Sequence, residues 1–385
     1  MRKIRVLQIV TRLVGRGVPR QVLKIATGLD ADRYEVDVLA GRSEAHEKSL
    51  WEEARHSGVS THYVASLQRQ VGPSAVAAFS AIYRHIRRGC YDIVHTHIST
   101  AGILGRLAAR AAGVSVVLHT YHGRIAELHD GSLRSRVFLA CERLVARQTD
   151  ALVACSEDMV RHYLECGVGV ERQYRVIYNA IDPDAFLREE GPGEKPAGLE
   201  GKLIVGTAAS LTPEKGLDVL LRAMPELLRR CPDVYLLILG EGPLRSDLQR
   251  MIREMELEQS VGLPGHVEDV RSWLAAFQVF VLPSKSDGVP TAILEAMAME
   301  LPVVASRVGG VPEILRQGEI GVMVDPGDPR QLAQALASLL EDPSKCKHLG
   351  RIGRQRVRQT FGLDCMIGRL DELYMELLQA KNRQR

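Results

Sequence analysis

The sequence predicts an α/β protein of two doubly wound Rossmann-like domains facing a common cleft. Three observations predict it. Short apolar runs alternate with amphipathic helical patterns along the whole chain. The alternation breaks over residues 188–201 (REEGPGEKPAGLEG), where Gly, Pro and Glu leave nothing to form a core, and then restarts. The length of 385 residues suits two domains of ordinary size.

The elements follow in order. Apolar runs at residues 6–10, 36–40, 93–96, 115–120, 152–155 and 176–178 read as strands. Between the first two, Val18, Val22, Ala26 and Leu29 recur at helical spacing. After the break, strands are expected at residues 203–207, 235–239, 279–282, 303–305 and 322–324, again with helices between them. Such alternation gives a parallel sheet covered by helices. A last helical pattern, residues 364–380, carries Met366, Leu370, Leu373, Leu377 and Leu378 on one side, and a basic tail, KNRQR, follows it. The expected domains are residues 1–182, joined by a C-terminal helix (364–385) that crosses back to them, and residues 183–363. Open α/β sheets bind ligands at the carboxyl ends of their strands, so the site is expected between the domains.

Composition narrows the function. A formal charge of +3 gives no bulk argument for nucleic acid. The seven cysteines are scattered, without CxxC or zinc spacing, which suits a reducing cytoplasm. The apolar run at the N-terminus ends at Thr11-Arg12, too short for a signal-peptide core. No stretch approaches the ~20 apolar residues of a membrane span. The expectation is a cytoplasmic protein, with a peripheral place on the inner face of a membrane left open.

Two stretches carry chemistry. In TAASLTPEKGLDVLLRAM (residues 207–224) a strand ends, a turn follows, and Lys215-Gly216 open a helix. A lysine at a helix N-terminus suits a phosphate, although no GxxxxGK[ST] occurs and, on this motif alone, a solvated lysine beside a turn is the stronger reading. In SDGVPTAILEAM (286–297) the backbone at Val289, Pro290 and Thr291 enters a helix whose first N–H groups can bind an anion or hydroxyls. Asp287 suits hydroxyls, and Glu295 suits a ribose diol or, equally on physics alone, a structural bond to nearby backbone. A glutamate inside the apolar run ILEAMAM is costly unless paired.

Asp287-x7-Glu295 followed by AMAMELPVVASRVGGVPE resembles the signature of the family 4 retaining glycosyltransferases, which have the GT-B fold. The resemblance runs nearly the whole chain in order: LVGRGVPRQVL, DIVHTHISTAGILGRLAARAAGV, VVLHTYHG, YRVIYNAIDPDAF, SLTPEKG, LILGEGP and LPGHVEDV each resemble a family segment. It implies these roles. Lys215 neutralises the donor diphosphate, and Glu295 holds the ribose. Asp287, with the backbone at Val289, Pro290 and Thr291, holds the transferred sugar and the phosphate. His122 lies near the sugar and the reaction centre, with His119 as the other choice. Gly15 and Gly17 let a loop approach the diphosphate, and Gly240, Gly242, His266 and Val267 frame the base. Ser210 stands where the family has the diphosphate-binding Arg, whose bidentate fork a serine cannot supply; Arg16, Arg20 and Arg307 could substitute. Asp287 replaces a family glutamate, Met299-Glu300 a small-Gly pair, and Ala180 a glycine.

The resemblance further implies a nucleoside-diphosphate sugar donor, retention by front-face attack, and no metal or other cofactor. The DxD-like runs Asp30-Ala31-Asp32 and Asp182-Pro183-Asp184 flank helix or domain starts, where Asp caps are common, so neither reads as a metal site. It also implies a saccharide or lipid-linked acceptor, bound mostly by the first domain. There Arg84, Arg87, Arg88, Arg106, Arg110, Arg124, Arg134, Arg136, Arg143 and Arg147 make either a face for anionic headgroups or a solvated set. Val137, Phe138 and Leu139 are expected either to insert or to pack in the core. Competing readings are an NAD oxidoreductase, weakened by Arg20 at the third glycine of a fingerprint, a sugar-nucleotide epimerase, and a non-catalytic relative suggested by Ser210.

Overall fold

In the computed structural model, residues 2–15, 17–42, 49–68, 72–123, 132–186 and 198–383 are described. The predicted break at 188–201 lies mostly outside them, as do Arg16, Arg124 and the end of the tail. The chain divides into two compact units, Met1–Asn179 with Leu363–Arg385, and Ala180–Gly362.

The N-terminal unit alternates strands β1 (Ile4–Arg12), β2 (Tyr34–Gly41), β3 (Ser60–Tyr63), β4 (Ile93–His97), β5 (Val116–Tyr121), β6 (Ala151–Ala154) and β7 (Tyr174–Val176) with helices. The helices are α1 (Val18–Gly28), α2 (Trp51–His56), α3 (Ser74–Gly89), α4 (Ser99–Ala111), α5 (Leu133–Ala146) and α6 (Glu157–Glu165). All strands are parallel, in the order β3-β2-β1-β4-β5-β6-β7. The order reverses between β1 and β4, the switch point of a doubly wound sheet. Central strands are buried on both faces, which is why they read as continuous apolar runs.

The C-terminal unit has β8 (Leu203–Ala208), β9 (Val234–Leu239), β10 (Val261–Gly265), β11 (Val279–Leu282), β12 (Val303–Ser306) and β13 (Val322–Val324). Its helices are α7 (Leu217–Arg230), α8 (Arg245–Glu254), α9 (Val270–Ala276), α10 (Thr291–Ala298), α11 (Val311–Ile314), α12 (Pro329–Leu340) and α13 (Pro343–Arg356). The sheet is again parallel, ordered β10-β9-β8-β11-β12-β13, with its switch point between β8 and β11. Leu217, Leu221 and Met224 of α7 pack with Leu332 and Leu336 of α12 on Val205, Leu236 and Val281 of the sheet.

The last helix, α14 (Leu363–Arg383), belongs to the N-terminal unit. Met366, Leu370, Leu373 and Tyr374 are its buried stripe. Asp371 accepts from the Tyr34 hydroxyl at 2.5 Å and pairs with Arg33 at 2.9 Å, and Lys381 pairs with Asp150 at 2.8 Å.

Three expectations need correction. The edge strands β3 and β10 have sequences, STHY and VGLPG, that offer no run of apolar residues. Strand β7 begins two residues before the expected run. Arg106 is not part of a solvated basic face: it is 1% exposed, on α4, and donates at 2.6 Å to the fully buried Glu142 of α5, which also accepts from the Tyr121 hydroxyl. Removing one partner of such a pair strands the other charge out of water. Glu142→Ala is expected to cost about 3–5 kcal/mol in urea unfolding; a loss below about 1 kcal/mol would mean that the pair does not hold α4 to α5.

Candidate active site

At the switch point of the C-terminal unit two loops leave adjacent strands. After β8 the chain runs through Ser210 and a 3₁₀ turn, Pro213–Lys215, into α7. After β11 it runs through Ser284–Gly288 into α10. The loops are bonded to each other, since the Lys285 and Ser286 N–H groups donate to the Glu214 carbonyl at 2.7 and 3.3 Å. Gly216 caps α7 with φ 64°, and a Cβ there would collide with the Pro283 carbonyl, so only glycine lets the loops meet.

Across this seam the Lys215 ammonium lies 2.5 Å from Asp287 Oδ2. The same oxygen accepts from the Ser284 hydroxyl at 3.1 Å, and Oδ1 accepts from the Gly288 N–H at 3.0 Å. Both side chains are mostly covered, 19% and 13% exposed. A third loop, after β12, closes the set. Gly310 N–H donates to the Gly288 carbonyl at 2.8 Å, and Gly309, φ 51°, has no room for a Cβ against the Asp287 carbonyl.

The remaining residues of this unit follow from strand ends. In α10 Ile293, Leu294, Ala296, Met297 and Ala298 are buried, while Thr291 and Glu295, one turn apart, are half-buried on the open face. Glu295 therefore does not carry its charge into the core despite the apolar run around it. Val289 and Pro290 are buried at the helix entrance. Gly240 and Gly242 follow β9, where Gly240 N–H donates to the Gly265 carbonyl at 2.7 Å and Leu211 N–H to the Glu241 carbonyl at 3.0 Å. His266 is exposed and Val267 half-buried just beyond β10. Ser210 lies 3.4 Å from the Thr212 hydroxyl. Arg307, just past β12, is exposed, and its guanidinium makes no ion pair or hydrogen bond with the described residues. Arg20, by contrast, reaches the Gly15 carbonyl at 3.3 Å and Glu53 at 3.5 Å.

In the N-terminal unit Gly15 and Gly17 follow β1, with Gly17 capping α1 at φ 59°. His122 follows β5 and is half-buried. Both its ring nitrogens are engaged, Nε2 with His97 Nδ1 at 3.0 Å and Nδ1 with Asn179 Oδ1 at 3.1 Å. His119 is 1% exposed, packed under α4 with Nδ1 2.9 Å from the Thr96 hydroxyl, so of the two histidines only His122 stands at the strand ends. Sequence reasoning did not single out Gln8, His95, His97, Asn179 or Tyr374. The alternation in HTH, which puts His95 and His97 on one face of β4, was the available signal.

Burial leaves these histidines neutral at pH 7. It pushes His95 down to about 3 and His122 to about 4, the latter opposed by the bond to Asn179. His97 and His119 are also held well below the usual range by burial. Elsewhere in the unit, Asp37, His62 and His85 gather donor atoms within 4.8 Å of one another. The Arg5 guanidinium is 3.7 Å from that carboxylate, and Asp37 also accepts from His62 and Tyr91, so its charge is already matched by Arg5. In each DxD-like run the first Asp accepts the backbone N–H two residues on, at 2.9 Å for Asp30 and 3.0 Å for Asp182. Both are turns.

Residues 16–180 match a glycosyl transferase 4-like domain, and residues 202–342 match the glycosyl transferases group 1. The UDP-Gal:alpha-D-GlcNAc-diphosphoundecaprenol alpha-1,3-galactosyltransferase of Escherichia coli is 30% identical over 309 residues, 78% of this chain and 79% of that protein. This chain belongs to the family 4, or group 1, glycosyltransferases. Alpha-D-kanosaminyltransferase of Streptomyces kanamyceticus is 27% identical across 96% of this glycosyltransferase and 98% of its own length. Anabaena HepE in complex with UDP superposes with a TM-score of 0.80 at 20% identity, over 97% of this chain and 100% of that one, which identifies the fold as GT-B.

The buried histidines make stability depend on pH. Above pH 6.5 they are neutral in both the folded and the unfolded chain. Between pH 6.5 and about 4 the unfolded chain binds protons that folded His95, His122 and His85 do not. Stability should therefore fall as pH falls, by about 1.4 kcal/mol per group per pH unit. Denaturant unfolding at pH 7 and pH 5 measures it, and equal or greater stability at pH 5 would show that the rings are protonated in the fold.

Proposed function

We propose that this glycosyltransferase moves a hexose-type sugar from a nucleoside-diphosphate sugar, with UDP the favoured nucleotide, to a hydroxyl acceptor, with retention and without a metal. The observation that carries it is the Lys215–Asp287 contact at the sheet's switch point, beside the first turns of α7 and α10. A cation and helix N-termini at strand ends suit a diphosphate. In this reading Lys215 turns from Asp287 toward the diphosphate as charge builds on the leaving oxygen, a stabilisation realised most fully in the transition state. Glu295, on the open face of α10, takes the ribose diol. Asp287 and the backbone from Val289 to Thr291 hold the sugar and phosphate. Arg307 supplies the second cation that Ser210 cannot.

The bond from the anomeric carbon to the phosphate oxygen breaks as the bond to the acceptor oxygen forms on the same face. The acceptor's proton passes to the leaving phosphate. His122 supports that route, because a neutral ring with both nitrogens engaged is not poised as a base.

Complexes of HepE with UDP and the UDP-galactose and lipid-diphosphate substrates in the name of the E. coli relative support the donor and a lipid-linked or saccharide acceptor. The N-terminal unit would bind that acceptor. On α5, Leu133, Val137 and Leu144 are 76%, 56% and 54% exposed along one stripe, beside the exposed Arg136, Arg143 and Arg147. Phe138 and Leu139 are half-buried instead. No helix among the described residues is long and apolar enough to cross a membrane. The α5 face therefore suits peripheral contact with an anionic bilayer at the inner face of the membrane, in a cytoplasmic enzyme of cell-envelope glycan synthesis.

Thermal unfolding with UDP, GDP, ADP, TDP and NAD, with and without EDTA, tests this reading. UDP should raise the midpoint of the wild type, unchanged by EDTA, and raise it far less in Glu295→Ala, which should keep its fold but lose transfer. A shift with NAD alone, a shift abolished by EDTA, or an undiminished UDP shift and turnover in Glu295→Ala would contradict it.

A further inference from the structure

Seven polar side chains form an unbroken line through the N-terminal unit. The Thr120 hydroxyl lies 2.6 Å from His95 Nε2, and the Tyr374 hydroxyl 2.7 Å from His95 Nδ1. Gln8 spans from the Tyr374 hydroxyl, 3.0 Å from its Nε2, to His97 Nε2, 2.7 Å from its Oε1. His97 Nδ1 then meets His122 Nε2, and His122 Nδ1 meets Asn179. Gln8, His97 and Tyr374 are fully buried, and Tyr374 comes from α14, 366 residues from Gln8.

A neutral imidazole has one donor and one acceptor, so each ring passes the direction of bonding on to the next. The direction is set at the Asn179 end. The buried Cys155 thiol lies 3.3 Å from Asn179 Oδ1 and donates to it, and burial raises its pKa to about 12, so the proton for that bond is present. The oxygen so held also faces His122 Nδ1, which therefore carries the ring's proton. His122 Nε2 then accepts from His97 Nδ1–H, and His97 Nε2 is left as an acceptor. It needs an N–H, so the Gln8 carboxamide must turn its nitrogen to His97 and its oxygen to Tyr374. The two ends of a carboxamide have nearly the same shape, and the half-turn disturbs no packing. Tyr374 donates to Gln8 and accepts from His95 Nδ1–H, and Thr120 donates to His95 Nε2. Every group in the line is then satisfied and none is charged.

Packing alone does not hold the ring. A cavity of about 20 Å³, room for roughly one water, borders His95, Thr120, His122, Cys155 and Asn179. We propose that Tyr374, acting through Gln8 and His97, is a positioning residue that, with Cys155 at the other end of the line, holds His122 as its Nδ1–H tautomer facing the inward oxygen of the Asn179 carboxamide. Only the amide N–H groups of Asn179 then remain to meet a ligand, a donor pair suited to a hydroxyl or phosphate oxygen. That last consequence rests on the proposed function; the tautomer does not.

The test is ¹⁵N-histidine NMR of the full chain at pH 7.5, with His122 assigned by the signal missing from His122→Asn. Wild type should show His122 as Nδ1–H. Tyr374→Phe and, as a second break in the same line, Gln8→Met should move the tautomer ratio by about tenfold toward Nε2–H. Tyr34→Phe, which removes another bond to α14 through Asp371, should leave the ratio unchanged. The proposal is overturned by an Nε2–H ring in wild type, by an unchanged ratio in either line-breaking variant that folds, or by an equal change in Tyr34→Phe. These spectra need no substrate, so a wild type that ignores UDP would sink the proposed function and leave this result standing.

Discussion

The contact between Lys215 and Asp287 is the constraint around which the C-terminal unit is arranged. An ammonium and a carboxylate from loops 72 residues apart meet at 2.5 Å only because the loops are already joined through backbone. Gly216 lets the first loop close on Pro283, and Gly309 lets the third close on Asp287. Coulomb attraction alone would not hold two long side chains on an open surface, where entropy and water offset most of it. Here the fold sets the positions first and the charges then find each other. In the proposed chemistry this contact serves as preorganisation: the cation stands beside the helix starts before any ligand arrives, and a diphosphate replaces a partner that is already in place.

The N-terminal unit solves a different problem. It carries several imidazoles inside a parallel sheet, where a charged ring would be costly. Burial keeps them neutral, and neutrality obliges each to find both a donor and an acceptor. The line from Thr120 to Asn179 meets that demand. It also explains why α14 returns to this unit: the helix contributes an apolar stripe and a hydroxyl that the line cannot close without. Folding and site geometry are thus joined through one tyrosine.

Much of this was legible in the sequence, for identifiable reasons. The loops at Lys215, Asp287 and the paired glycines after β12 are dictated by backbone, so motif spacing reports them well. The central strands were legible because burial on both faces writes a continuous apolar run. The edge strands β3 and β10 were not, since a half-exposed STHY and a VGLPG with its proline carry no such run. Glu295 looked buried because its neighbours are apolar, yet helical spacing puts it with Thr291 on the one open face. Arg106 looked like one of many surface arginines, but its partner Glu142 lies 36 residues away on another helix. Tyr374 gave no sign beyond its place beside a helical stripe. Contacts between distant side chains are settled by packing, which local pattern does not encode.

The central claim is that the Lys215 cation, held by Asp287, exists to receive a diphosphate. Calorimetric titration of wild type and Lys215→Ala with UDP and with uridine tests it most directly. The account predicts that the variant loses UDP affinity by about tenfold or more, roughly 1.4 kcal/mol, while its affinity for uridine is unchanged. Equal UDP affinity in the two proteins, or the same fractional loss for uridine as for UDP, would contradict it.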